Sequence, residues 1–255
     1  MSVKKGDFLL LNYTCKVKDA NEVIGTTYKE VAEEHGLNRE SSKHEHKHEH
    51  EHEHEHEAIY EPLFIIVGEG WITKGLEEGI IGKKIGEKIK IEASPEKAYG
   101  SRDPSRMRLI PLRKFSKEGI NPIPGIQVNI DNKTALVRSV GAGRVQIDFN
   151  HPLAGKTLVY ETTPEKLLKT DKEKITELIH KNIQAVEKDH FKIIIKEKSV
   201  SIELPSEAFF IEGLQYIKRT IVDELRKYMP KFEIVTYTEI YKKPKPKTAS
   251  KEKSK

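Results

Sequence analysis

The chain has 255 residues, 33% of them charged, a formal net charge of +5 and one cysteine, Cys15. That length suggests one to three domains, with enough apolar residues for real cores. No segment approaches the ~18 apolar residues of a membrane span. The opening MSVKKGDFLLLNY has too short an apolar run for a secretory signal, and a lone Cys cannot form an internal disulfide. A soluble protein of the reducing cytoplasm, away from membranes, is expected.

Leu9, Leu11, Tyr13, Cys15 and Val17 recur at the period of a strand. In that pattern Cys15 reads as a packed core thiol, not a nucleophile. Residues 44–57 then read HEHKHEHEHEHEHE. Seven imidazoles, His44, His46, His48, His50, His52, His54 and His56, occupy every second position. An extended segment puts all of them on one side, and neutral imidazole binds zinc, nickel and copper. A ligand-free, charge-rich insertion and an engineered tag are the other readings. The tract is internal and Lys47 breaks its alternation, so capture of Ni2+ or Zn2+ is preferred, with affinity falling as the rings protonate below about pH 6.5.

Leu63 to Val67 suggests a short buried strand turned by Gly68 and Gly70. Ile72 to Ile81 suggests a short helix closed by Gly82, and Ile89, Ile91 and Ala93 another strand. Residues 110–150 differ in texture. Pro111, Gly119, Pro122, Pro124 and Gly125 punctuate them, and three short alternating segments follow at 126–130, 135–137 and 145–149, a small β module. Thr157 to Glu161 reads as a further strand. Beyond it, Thr170 with Glu173 has capping-box spacing before Ile175, Leu178 and Ile179. Phe191–Ile195 and Val200–Leu204 suggest a hairpin. Phe210, Leu214, Ile217, Ile221, Leu225 and Tyr228 recur at helical spacing up to Pro230, and Phe232 to Tyr241 ends in a strand. The lysine-rich 242–255 reads as a solvated, disordered tail, with no nucleic-acid-binding motif beside it.

The informative segment is Pro62–Gly100, PLFIIVGEGWITKGLEEGIIGKKIGEKIKIEASPEKAYG. Its Val67–Gly68 strand end, Gly75–Leu76–Glu77 helix, Ile85–Gly86–Glu87 turn and Ala98–Tyr99–Gly100 loop end resemble FKBP-type peptidyl-prolyl isomerases. NHPLAGKTL, from Asn150 to Leu158, resembles the SlyD-like subgroup of long, archaeal-type members, in which a flap domain interrupts the last hairpin. The likeness spans nearly all of residues 3–162, with its motifs in order. It implies an α+β chain: a half-open antiparallel β-sheet around a short helix, a small β-rich flap and a separate α+β C-terminal domain. The expected limits are 1–110 with 150–163 for the isomerase domain, 111–149 for the flap, 164–241 for the C-terminal domain and 242–255 for the tail.

The resemblance also implies an apolar pocket of Tyr13, Ile24, Leu63, Ile72, Leu76, Tyr99, Ile110 and Tyr160. Leu76 is its floor, where many members carry Trp. The Tyr99 hydroxyl and the Thr73 backbone N–H are expected to meet substrate carbonyls, with Tyr99, Tyr13 and Leu76 carrying catalysis. The implied reaction is rotation about X–Pro bonds of folding chains, without a required cofactor. Twisting an amide breaks its conjugation across a barrier of about 18–20 kcal/mol. A dry pocket lowers that cost, because the planar amide is the more dipolar form and is better served by water. The family usually has Asp where this chain has Gly25, which points to a weaker pocket, and Thr73 stands for a usual Ile.

Unfolded chains and proline-containing peptides are the implied partners, held by exposed Ile, Val and Phe residues of 120–149. In long relatives the C-terminal extension is associated with self-association or client binding. A holdase with an inactive pocket and a nickel- or zinc-handling protein are the competing readings.

Overall fold

The computed structural model describes residues 1–37, 59–131 and 133–241. The seven histidines of 44–56 and the tail from 242 lie outside the described residues. Residues 1–167 and 168–255 form two compact units.

The first unit opens with β1 (Phe8–Val17), whose apolar alternation buries Leu9, Leu11, Cys15 and Val17. Along one edge, the start of β1 pairs with β3 (Leu63–Ile66) and its end with β2 (Glu22–Thr26), both antiparallel. Helix α1 (Lys29–Glu34) follows β2. On the other edge β1 pairs with β9 (Leu158–Leu167), which in turn pairs with β4 (Ile89–Ala93). Helix α2 (Lys74–Ile80) packs across this sheet.

Two glycines permit that packing. A Cβ on Gly75 would lie 2.5 Å from the Ala93 Cβ, and one on Gly79 would lie 2.6 Å from Ile91 Cδ1. They are four residues apart and so share one helix face, which rests directly on β4. Leu76 and Ile80 then reach the core with Val3, Ile65, Val67 and Leu158.

Between β4 and β9 the chain leaves this sheet for a second one. Its order is β5 (Met107–Pro111), β8 (Arg144–Asp148), β7 (Lys133–Gly141), β6 (Gln127–Ile130), all antiparallel, with α3 (Leu112–Lys117) between β5 and β6. Phe115 of α3 plugs a core of Val128, Ile130, Ala135, Val137, Val145 and Ile147. The insert therefore begins with β5 and not at residue 111, because Met107–Pro111 pair with β8. The host domain runs on to Leu167 and not 163, because β9 stays paired with β1 as far as Leu9–Leu167.

The second unit holds α4 (Asp171–Asn182), β10 (Lys192–Lys196), β11 (Ser199–Leu204), α5 (Leu214–Tyr228) and β12 (Ile234–Glu239). The Thr170–Glu173 capping box is present: the Glu173 N–H donates to Thr170 Oγ1 at 3.2 Å and the Thr170 N–H to Glu173 Oε2 at 3.0 Å. The β10–β11 hairpin is antiparallel, whereas β12 joins β11 in parallel after the α5 crossover, as a helical connection allows. Phe210, expected on the helical stripe, lies before α5 and is 91% exposed; Gly213, at φ 71°, starts the helix after it.

Candidate functional site

Tyr13 and Cys15 stand two residues apart on β1, so both project to the same face. Across β9, Tyr160 pairs with Cys15. On the other side Ile24 and Gly25 come from β2. The loop after β3 supplies Trp71, Ile72 and Thr73. It is pinned by Glu77 of α2, whose Oε1 accepts from the N–H groups of Gly68 at 2.8 Å and Gly70 at 3.3 Å. Tyr99 ends the turn that follows β4. That turn closes on itself, the Gly100 N–H donating to the Pro95 carbonyl at 2.7 Å.

These residues enclose a hollow of about 390 Å³, lined by Tyr13, Cys15, Ile24, Gly25, Leu63, Trp71, Ile72, Thr73, Leu76, Tyr99 and Tyr160. Eight of the nine expected residues thus meet around one cavity. Leu76, 2% exposed, lies in the core cluster beneath it. Ile110 does not join them. It sits on β5 opposite Val145 and packs against the insert's core, because the chain has already left the host sheet by Met107. Cys15, Trp71 and Gly25 are lining residues beyond those nine. The two-residue spacing from Tyr13 signals the first; the second precedes Ile72 with no periodicity to mark it; the third is marked only by the Asp it replaces in the family.

The cavity's polar groups are neutral. Burial, then the nearby Cys15 and Tyr99, pushes the Tyr13 phenol above its ordinary range. Burial does the same for Tyr99 and, further, for Tyr160. The Cys15 thiol is pushed up to about 11 by burial, against an opposing hydrogen bond with Tyr160. All four groups therefore stay protonated near neutral pH. Thr73 Oγ1 donates to the Tyr160 hydroxyl at 2.9 Å, holding Thr73 at the N-cap of α2. The Thr73 N–H has no backbone acceptor among the described residues, as is usual at a helix start. A Cβ built on Gly25 would lie 3.7 Å from the Tyr13 hydroxyl, so a side chain there would reach that group.

No charged side chain lines the cavity, and no group of three metal-binding side chains occurs among the described residues. The arrangement suits binding and dehydration of an apolar ring, with neutral donors for carbonyl oxygens, and not proton transfer or nucleophilic attack.

The insert's two connections are tied together at a neck. The Asp103 N–H donates to Asn150 Oδ1 at 2.9 Å, and Asn150 Nδ2 donates to the Asp103 carbonyl at 2.9 Å. Asp148, 1% exposed, accepts from Arg102, from Arg138 at 3.1 Å, and from the Asn150 N–H at 2.9 Å and Nδ2 at 2.7 Å. Burial alone would raise its carboxyl. The hydrogen bonds from Asn150 and Arg138 outweigh that and hold it below the ordinary carboxylate range.

Comparison with known proteins agrees with this architecture. The family described as FKBP-type peptidyl-prolyl cis-trans isomerase matches residues 46–125. The FKBP26 IF domain matches 108–153 and the FKBP26 C-terminal domain 171–242. The short-type peptidyl-prolyl cis-trans isomerase of Methanocaldococcus jannaschii is 33% identical over 158 residues, covering 62% of this chain and 89% of that one. The SlyD isomerase of Helicobacter pylori is 38% identical over 105 residues, covering 39% of this chain and 56% of the relative. A probable 16 kDa FKBP-type isomerase of Pseudomonas fluorescens is 35% identical over 104 residues, 39% of this chain and 69% of the relative.

Proposed function

Because the chain belongs to the FKBP-type peptidyl-prolyl cis-trans isomerases and is such an enzyme, we propose that the hollow around Tyr99 and Leu76 is where its X–Pro bonds turn. The observation that carries this is a cavity of aliphatic and aromatic side chains whose hydroxyl and thiol groups are all neutral. A prolyl ring entering it loses water. Its planar amide loses more solvation than the twisted form does, and the barrier falls. The Tyr99 hydroxyl and the Thr73 N–H hold the flanking carbonyls, while Tyr13, Ile24, Leu63, Ile72 and Tyr160 wall the ring in. A protease-coupled assay on a proline tetrapeptide tests this. Turnover should exceed background and fall on Leu76→Ala; no loss in that variant would sink the assignment.

The insert serves as the capture module for unfolded, proline-containing chains. Leu109, Ile123, Ile126 and Val140 are exposed on it although its core is complete. A chain held there presents its prolines to the pocket repeatedly, raising their local concentration. Gly25 favours a second reading, a holdase with a slow pocket, since Tyr13 lacks the carboxylate the family usually sets beside it. The work is done in the cytoplasm, consistent with the absence of any helix among the described residues long and apolar enough to cross a membrane.

The histidines of 44–56 bind Ni2+ or Zn2+ apart from the isomerase reaction. Calorimetric titration of nickel into the chain with and without residues 44–57 tests that; equal binding would dismiss it. The C-terminal unit mediates self-association, checked by molar mass in solution with and without residues 168–255.

A further inference from the structure

Tyr99 is not positioned by its own turn alone. Its ring lies face to face with the imidazole of His151, centroids 4.2 Å apart and planes 2° from parallel. His151 belongs to the other chain crossing, one residue past Asn150 of the neck. It is fixed there by its own turn, Nδ1 accepting from the Leu153 N–H at 3.1 Å. Leu153 is buried and belongs to the host core. A second tie runs alongside, the Gly155 N–H donating to the Gly100 carbonyl at 2.8 Å. The two faces of this arrangement do different jobs: the Nδ1 bond holds the turn, and the ring face holds Tyr99.

We infer that His151 is a positioning residue for the isomerase reaction: its ring fixes the plane of Tyr99 and so the direction in which the Tyr99 hydroxyl meets the substrate carbonyl. Tyr99 is half-buried and ends a turn, outside the strand pairing that holds Tyr13 and Tyr160. Stacking on His151 sets its ring plane before substrate arrives. The orientation of a donor is worth more than its mere presence, because small misplacements cost a large part of its effect. The inference rests on the pocket reading above.

The single tryptophan, Trp71, lines the cavity and gives a binding signal separate from turnover. The full-length chain is compared with four variants, His151→Asn, His151→Phe, Tyr99→Phe and the Tyr99→Phe/His151→Asn double variant, by proline-tetrapeptide kinetics and by titration of Trp71 fluorescence with the same peptide. His151→Asn keeps an acceptor near the Leu153 N–H but removes the ring. His151→Phe keeps the ring but removes the acceptor. His151→Asn should raise KM and the fluorescence Kd about five-fold with kcat and Tm held, and His151→Phe should recover at least half of that loss. In a Tyr99→Phe background His151→Asn should cost nothing further, since the hydroxyl it aims is gone. Unchanged KM in His151→Asn, no recovery in His151→Phe, or an additive loss over Tyr99→Phe would overturn the inference. A wild-type chain with neither turnover nor a Trp71 response would instead overturn the pocket reading on which it rests.

Discussion

The host sheet and the insert use similar ingredients to opposite ends. Both are small antiparallel sheets with one helix against them. The host leaves a hollow between sheet and helix and keeps charge out of it. The insert fills the equivalent space with Phe115, 0% exposed, and concentrates charge at its neck, where Asp148 meets two guanidinium groups. Its apolar surplus goes outward, with Leu109 61% exposed. The contrast fits the isomerase activity of the host and the capture task proposed for the insert. Rotation about an amide needs a dry enclosure with neutral donors. Capture of varied chains needs accessible apolar surface on a body that is rigid without its client.

Removing the insert should have the largest effect. Excising residues 104–149 and closing the gap with a short glycine linker should slow catalysed refolding of a proline-limited protein about 100-fold, through lost local concentration. Tetrapeptide turnover should change by about two-fold at most. Equal losses in both assays would mean that the two regions are one site.

Next in size is Asp148→Asn. The substitution leaves Arg102 and Arg138 facing a neutral amide and should cost about 2 kcal/mol in urea unfolding. Wild-type stability itself should decline as pH falls through the carboxylate range, because the folded carboxyl titrates below its unfolded value. A variant as stable as wild type at pH 7 would remove the neck from the account.

Tyr99→Phe deletes one donor without emptying the cavity. It should lower kcat/KM about five-fold, the worth of one hydrogen bond, while Tm moves little. A change confined to Tm would assign Tyr99 to packing.

The cavity's neutral groups give an alkaline signature. In the folded chain the Cys15 thiol titrates at about 11, against an ordinary 9.0. Stability from keeping it protonated is present below pH 9 and lost as pH rises towards 11. Unfolding free energy should therefore fall over that window, and less steeply in Cys15→Ser. Superimposable curves would contradict the burial of this thiol.

The smallest effect is expected from Gly25→Asp. The new carboxylate would approach the Tyr13 hydroxyl and raise kcat/KM two- to three-fold, about the worth of a weak hydrogen bond. Lower activity would show that this pocket is adapted to glycine.

Much of this was legible because local pattern and tertiary role coincide. The alternation in β1 is read directly as a buried strand face, and Thr170 with Glu173 caps α4 as spaced. The pocket residues were reached through motif likeness, not periodicity, since Leu63, Ile72 and Tyr160 look like ordinary core. Strand β2 carries little signal because EVIGT is short and has a glycine next to its last residue. Strand β5 escaped because its apolar residues are interrupted by Arg108 and ended by Pro111, which also explains the misplacement of Ile110. The Asp148 cluster could not be read at all. Its partners Arg102 and Asp148 lie 46 residues apart, and one carboxylate among many charges carries no pattern.

The paired hydrogen bonds between Asp103 and Asn150 have an architectural consequence. They bring the two crossings together before the insert begins, so the host closes as though it carried a tight turn there. Loop entropy grows only slowly with length, and here the ends of the excursion are already fastened. The position therefore works as a socket. A different module whose termini lie equally close could be grafted in without disturbing β4 or β9, so binding preference could diversify while the catalytic scaffold stays as it is.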